Sequence, residues 1–441
     1  MLPRLLFFLY DLLFLVAACI WLPLDYVRCR MRGLPREGLW ERIGLISAAR
    51  LRPLDGKKVY WIHAVSVGET RASLPLISHI KKQEPDAAIL VTNVTETGHR
   101  TALAAGGIDL CLFCPLDFSL VVRRMFRRIR PAVLLIVETE IWPNMIRLAR
   151  RQQIPVLLVN GRISDRSYPR YRYFRFILQP VLSLVQSFCM QSTLDAERIA
   201  ALGAPRERIL TTGNVKFDQT RTMAAVPSER EARQQFRLPA TIPVWVAGST
   251  HDGEEELLMR VFRRLMLAEQ PVVMILAPRH PARCAAVMEL LRKYGFPYQL
   301  RSEQSADSPA LASGSVLLLD TLGELVASYA AANVVFVGGS LLPVGGHNIL
   351  EAAMVSRPAV WGPHMQNFKE IDRLMKDHGG GLQVATVDEL YDVVRMLLTS
   401  PAEAQKLGQR GAALLREHAG ATARTWEQIV RCLQESGNGQ A

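Results

Sequence analysis

The sequence predicts an α/β protein of two Rossmann-like domains, each a parallel sheet, facing a central cleft and preceded by an apolar helix. Three observations predict it. A chain of 441 residues exceeds what one hydrophobic core usually organises. Short β-rich apolar runs alternate with helical patterns, the rhythm of a parallel sheet covered on both faces. That rhythm breaks once, at "MAAVPSEREARQQFRLP" (residues 223–239), and then restarts. Hydrophobic residues make up 49% and charged residues 21%, which excludes a disordered chain.

The first element, residues 1–30, reads as a membrane anchor. Leu5 to Leu24 spans 20 residues whose only charge is Asp11, the length of a bilayer-crossing helix. Arg28, Arg30, Arg32 and Arg36 follow it, against Arg4 alone in front, so the positive-inside tendency leaves the remainder in the cytoplasm. Val16-Ala17-Ala18-Cys19 also resembles a lipoprotein cleavage site, which would export the chain and lipidate Cys19. Asp11 within the run and the apolar residues continuing past Cys19 argue against it.

The first domain, residues 31–225, carries strand patterns at Val59–His63, Ala88–Thr92, Leu110–Cys114, Ala132–Val137, Val156–Asn160, Phe188–Gln191 and Ile209–Thr212. The second, residues 226–415, carries them at Val244–Gly248, Val272–Ala277, Val316–Leu319, Val334–Val337, Ala359–Trp361 and Leu382–Val384. Residues 416–441 read as a C-terminal helix free to pack back on the first domain. In such sheets ligands gather at the C-terminal ends of the strands.

The formal net charge of +12 favours anionic partners: nucleic acid, acidic lipid headgroups or phosphorylated substrates. Seven scattered cysteines, at 19, 29, 111, 114, 189, 284 and 432, argue against a disulfide framework. Cys111-Leu-Phe-Cys114 has no second pair and reads as inert and buried rather than zinc-binding or redox-active. With no HExxH stretch, dense His/Cys/Asp cluster or Asp-x-Asp, the expected chemistry needs neither metal nor cofactor.

Several loops at predicted strand ends hold polar residues that solubility does not require. "WIHAVSVGETRAS" is strand, glycine turn and helix start, the shape of a phosphate cradle. Yet it places the carboxylate of Glu69 where an anion would bind. "LLIVETEIWPN" sets Glu138 and Glu140 after an apolar strand, where buried carboxylates are costly unless paired or functional. "TGNVKFD" supplies the cation Lys216.

In the second domain, "VAGSTHDGEEE" offers Gly248, Ser249 and Thr250, either an anion site or an ordinary helix N-cap. "LAPRHPAR" brings Pro278 and Arg279, and a guanidinium there can fork onto a phosphate. "DTLGEL" and "FVGGSLLPVGGHNILEAA" follow. The latter has di-glycine turns for close approach of the backbone to phosphate, and Glu351 placed to hold ribose hydroxyls.

Two basic stretches stand out. Arg123, Arg124, Arg127, Arg128 and Arg130 recur at largely helical spacing (the 123–130 patch). Arg162, Arg166, Arg170, Arg172 and Arg175 interleave with five aromatics (162–176). Single-stranded nucleic acid would suit the second stretch, as would a membrane surface. Behind an anchor the lipid surface is preferred, at about 1 kcal/mol per basic residue, and no named nucleic-acid motif is present.

Taken together, "HAVSVGE", "TNVTETG", "VETEIWPN", "NGRISDRS", "TGNVKFD", "GSTHDGEEE", "APRHP", "DTLGEL", "VGGSLLPVGGHNILEAA" and "GPHMQNF" resemble, in order, the 3-deoxy-D-manno-octulosonic acid (Kdo) transferases of lipopolysaccharide assembly. The resemblance spans about residues 60 to 368. It implies the GT-B fold and inverting transfer of Kdo from CMP-Kdo to the lipid A precursor (lipid IVA), at the cytoplasmic face of the inner membrane. Glu69 falls on the family's general base, and the helix start beneath it is expected to favour the ionised form.

Glu138 and Lys216 fall on positions that stabilise the transition state. CMP contacts carry over to Pro278 and Arg279, to Gly323, Glu324 and Leu325, and to Asn348, Ile349, Leu350 and Glu351. Ser249 and Arg162, polar groups at strand ends, join them as candidate donor or acceptor contacts. Ile349 and the Ala352-Ala353 pair depart from the pattern, which often has proline at 349 and Pro-Ala after Glu351; loop rigidity is the property affected. Two other readings use the same features: a GT-B transferase for another nucleotide sugar, and an exported, lipid-anchored two-lobed binding protein.

Overall fold

The computed structural model describes residues 7–16, 18–19, 38–218, 226–305 and 308–437. The chain divides into two units, Met1–Thr222 with Ala419–Ala441, and Met223–His418. In the first unit the strands are β1 (Val59–His63), β2 (Ala88–Asn93), β3 (Leu110–Phe113), β4 (Val133–Val137), β5 (Val156–Gly161), β6 (Ser187–Met190) and β7 (Ile209–Thr211). They form one parallel sheet in the order β3-β2-β1-β4-β5-β6-β7.

Successive side chains of a strand point to opposite faces, and here both faces are apolar. Trp61, Leu90, Leu112 and Leu134 enter one core, while Tyr60, Ile62, Ile89 and Leu135 enter the other. The indole N–H of fully buried Trp61 donates to Thr92 Oγ1 at 2.9 Å. Truncating such a side chain to alanine costs about 3–5 kcal/mol. The second core is closed by the helix Ala421–Gly437, which adds Ala421, Ile429 and Cys432. Asp218 fixes the start of that helix by accepting the N–H groups of Gly420 (2.7 Å) and Thr422 (2.6 Å).

The second unit repeats the plan with β8 (Val244–Thr250), β9 (Val273–Pro278), β10 (Tyr298–Leu300), β11 (Val316–Leu318), β12 (Val334–Val337), β13 (Ala359–Trp361) and β14 (Gly381–Gln383). The order is β10-β11-β9-β8-β12-β13-β14, again parallel throughout. β10 has no counterpart among the sequence-predicted strands. It is three residues long and only half-buried, so no apolar run announces it. Strand order reverses direction between β1 and β4 in the first unit and between β8 and β12 in the second. The loops at those two points are where this fold class binds ligands.

The predicted anchor lies only partly within the described residues. Residues 7–16 and 18–19 are helical, but among the described residues no helix is long and apolar enough to cross a membrane. Residues 1–6, 17 and 20–37, which include the ends of the predicted anchor and the arginines after it, lie outside the described residues. Asp11, the one charge in the predicted span, is tied to the first unit. It accepts from Asn144 Nδ2 at 2.7 Å and from the N–H and hydroxyl of Ser119, and pairs with Arg147 at 3.8 Å. Phe7 is buried beneath the Arg147 guanidinium, 4.6 Å from the ring centre. Phe8, Leu9, Leu12, Leu13, Leu15 and Val16 are exposed along the same helix.

Both basic stretches include exposed helical residues. Arg123, Arg124 and Arg127 project from Ser119–Ile129, while Tyr173 and Phe176 stand open at the junction of Tyr168–Tyr173 and Arg175–Leu182. Cys111 and Cys114 are buried free thiols. Burial pushes Cys111 up to about 11 and holds Cys114 well above the usual thiol range, which leaves both unreactive.

Candidate active site

Glu69 sits in the first turn of the helix Val67–Gln83, directly after β1 and beside the first unit's switch point. Its carboxylate turns back on the loop: Oε2 accepts the Val65 N–H at 2.6 Å and Oε1 accepts the Ser66 hydroxyl at 3.1 Å. Ser66 in turn caps the helix. Asn93, at the end of β2, clamps this loop by donating to Ala64 O (2.7 Å) and Thr70 Oγ1 (2.9 Å). Glu69 is therefore both a capping acid and a fixed, nearly buried carboxyl group.

The expected effect of the helix start on Glu69 is overturned. Burial pushes its pKa up to about 7, helped by the negative charges of Glu138 and Glu140, and outweighs the Val65 and Ser66 hydrogen bonds. A carboxyl poised there holds a proton about half the time at neutral pH. That is the optimum for a general base, rather than the fully ionised state the dipole argument predicts.

Glu138 follows β4 across the switch point and has φ of 61°, a left-handed conformation that is costly for a side chain with Cβ and recurs at functional sites. Burial raises its pKa, while Lys216 and Arg162 pull it back, so these three residues form one electrostatic group. Glu140 is raised by burial and then by Glu138.

Lys216 lies in the short turn Val215–Phe217, which is set by three amides that sequence reasoning left unassigned. Asn160, itself at φ 52°, accepts the Val215 N–H on Oδ1 at 3.2 Å. Gln191 donates to Asn160 O at 2.9 Å, and Asn214 donates to Gln191 Oε1 at 3.0 Å. Asn160 and Asn214 belong to the motifs "NGRISDRS" and "TGNVKFD", and an uncharged amide beside glycine was the available signal.

In the second unit Ser249 occupies a bulge near the end of β8 at φ 56°. Pro278 pairs with Thr250 across the sheet, and the Arg279 N–H donates to Thr250 O at 2.9 Å, which fixes where the guanidinium leaves β9. Asn348 Nδ2 lies 3.5 Å from Glu351 Oε1, and Arg279 acts on Glu351 electrostatically, so these three are brought together. Burial pushes Glu351 up to about 7. Ile349 and Leu350 are fully buried, so any ligand contact from them is through the backbone.

Two sequence expectations change here. Glu324 is already spent: Arg301 grips it through Nε (3.1 Å) and Nη2 (2.8 Å), with Gln235 at 2.9 Å and the Thr321 hydroxyl. Its carboxylate braces the loop, leaving Gly323 (φ 86°, nothing near its missing Cβ) and the adjoining backbone for a ligand. The first di-glycine turn is likewise occupied. Fully buried Glu254 accepts the N–H groups of Gly339 (2.7 Å), Ser340 (3.0 Å) and Leu341 (3.0 Å), and that of His251 (3.2 Å). A protein carboxylate takes the donors expected for phosphate. Nothing in the sequence pattern distinguished Glu254 from its neighbours Glu255 and Glu256.

Two doubly wound parallel-sheet units, one with a base-like carboxyl at its switch point and the other with an arginine–amide–carboxyl cluster, give the chain a GT-B-like fold. The 3-deoxy-D-manno-octulosonic acid transferase of Haemophilus influenzae is 34% identical over 406 residues, covering 91% of this chain and 92% of that protein. The chain belongs to the 3-deoxy-D-manno-octulosonic acid (Kdo) transferase family. The Bordetella pertussis transferase is 32% identical over 430 residues, 94% of this chain and 96% of that one. The family profile described as 3-Deoxy-D-manno-octulosonic-acid transferase (kdotransferase) matches residues 37–219. Among solved structures, UDP-GlcNAc 2-epimerase from Neisseria meningitidis superposes with a TM-score of 0.56 at 14% identity. The match covers 85% of this chain and 100% of that one, a likeness of fold alone.

Proposed function

We propose that this protein transfers Kdo with inversion from CMP-Kdo to the lipid A precursor, with Glu69 as the general base. The observation that carries this reading is the placement of Glu69 in a chain of this family: a nearly buried carboxyl at the first unit's switch point, fixed by the Val65 N–H and the Ser66 hydroxyl and raised by burial to about 7. The acceptor hydroxyl oxygen attacks the anomeric carbon, and the bond from that carbon to the phosphate oxygen breaks with its electron pair leaving on CMP. Glu69 takes the hydroxyl proton.

Glu138 and Lys216 offset the charge that develops, Lys216 toward an anionic group of the donor and Glu138 by orienting its neighbours. CMP is held by Pro278 and Arg279, by Asn348 and Glu351, by the backbone at Gly323–Leu325 and 349–350, and by Ser249. Arg162 contributes on the acceptor side. No metal or cofactor takes part.

The site of action in this reading is the cytoplasmic face of the inner membrane. Its support is the exposed apolar face of residues 7–16 and the arginines and aromatics of 123–130 and 162–176. Arginines suit lipid phosphates, and tyrosines suit the interface.

The test is Glu69→Ala assayed with CMP-Kdo generated in situ and tetra-acylated lipid A precursor. Turnover should fall by about 10²-fold or more, and near-normal turnover removes Glu69 as the base. Thermal stabilisation by CMP but not UDP should separate this donor from other nucleotide sugars.

A further inference from the structure

Three histidines that no role above uses converge in the second unit. His251 follows β8, His280 follows β9, and His347 lies in the loop after β12. The Nε2 atoms of His251 and His347 are 2.8 Å apart with ring planes 5° apart, and His280 meets His251 edge-on at 5.9 Å between centroids. The pair is built into the fold. Glu254 ties the His251 N–H to that of Gly339, and Gly339 packs against both rings. A Cβ on Gly339 would come within 2.9 Å of His347 and 3.3 Å of His251, at a φ of 66° that itself favours glycine.

Proton counting defines what such a pair can do. An Nε2···Nε2 hydrogen bond holds one proton between the two rings. When the pair is neutral, one outer Nδ1 carries hydrogen and the other carries a lone pair. One added proton turns both outer nitrogens into donors and gives the pair a positive charge.

The groups facing His251 disfavour that charge in the free protein. Burial, His280, Arg279 and Arg283 all hold its pKa below the ordinary value. The nearby carboxylates are engaged: Glu254 by four backbone N–H groups, Glu255 by Arg283 (3.2 Å) and Thr250 (3.2 Å), Asp252 by Arg283 (2.7 Å). Glu351 faces Arg279. An electropositive group with its acids already paired is balanced by an incoming anion.

We propose that the His251–His347 pair is a phosphate-binding element of the donor site: it takes up one proton as a nucleoside monophosphate group arrives and holds it against that phosphate. During transfer the phosphate gains a second negative charge when its bond to the sugar breaks. The added proton stays on nitrogen, and its hydrogen bond offsets that charge while Glu69 receives the acceptor's proton. This rests on the donor reading of the second unit.

Calorimetry of the full chain with CMP, in two buffers of different ionisation enthalpy near pH 7, reads the proton uptake directly. Cytidine serves as the phosphate-free control. Wild type should take up a proton with CMP and none with cytidine. His251→Gln and His347→Gln, which retain an N–H donor, should each lose that uptake and bind CMP roughly tenfold more weakly, with cytidine affinity unchanged. The titration of CMP itself is common to every arm. Uptake that survives both histidine variants overturns the proposal while leaving the donor reading intact. No CMP binding by wild type overturns both. Circular dichroism of each variant confirms that it is folded.

Discussion

Replacing Glu69 by glutamine should trade activity for stability, and the pH dependence of the trade tests the account of this residue. Glutamine can keep both contacts, its oxygen accepting the Val65 N–H and its amide donating to the Ser66 hydroxyl. What it removes is a buried ionisable group, 8% exposed, whose pKa is raised from 4.5 to about 7. A raised carboxyl keeps its proton in the folded state where the unfolded chain has already lost it. Wild-type stability therefore falls as pH rises from about 4.5 to about 7 and is level above that. At 1.36 kcal/mol per pH unit, the full difference is about 3 kcal/mol.

Glu69→Gln should match wild type near pH 4.5 and exceed it by up to about 3 kcal/mol at pH 8.5. For a unit of this size that is about 6–12 °C in the thermal transition. Calorimetric or circular-dichroism melts of both proteins across that range provide the assay, with transferase activity measured in parallel. A stability difference independent of pH, or activity retained in the variant, would refute the reasoning.

Glu140→Gln removes one of the charges that raises Glu69, so the acid limb of the kcat/KM profile should move to lower pH. An unmoved limb would assign it to another group. Glu254→Gln leaves one acceptor oxygen for four backbone N–H groups, so two of them go unpaired. The second unit should lose about 2–5 kcal/mol in denaturant unfolding, whereas a loss confined to a few tenths would mean the loop re-pairs with water. Asp11→Ala frees the bonds to Asn144 and Ser119 and should raise hydrogen exchange across residues 7–16. Protection equal to wild type would show that Phe7 packing alone holds the helix.

The sheets were legible because their strands are buried on both faces. Runs such as "VLLIV" (133–137) and "VVFV" (334–337) need no partner to be recognised as parallel-sheet strands. β10 was not, since a half-buried edge strand of three residues carries no such run. Glu69, Glu138 and Arg279 were legible as candidates because charged groups at the ends of apolar strands are costly to place without a role.

The sequence by itself determined the two-unit α/β architecture, the loops that hold polar chemistry and the resemblance to Kdo transferases, all of which follow from local order along the chain. Tertiary structure alone decided which charges were available. It raised Glu69 instead of lowering it, spent Glu324 on Arg301 and Glu254 on a glycine turn, fastened Asp11 to Asn144, and paired His251 with His347 across 96 residues. Desolvation and hydrogen-bond occupancy depend on neighbours distant in sequence, so the same glutamate reads alike in the chain whether it becomes a base, a brace or a mimic of phosphate.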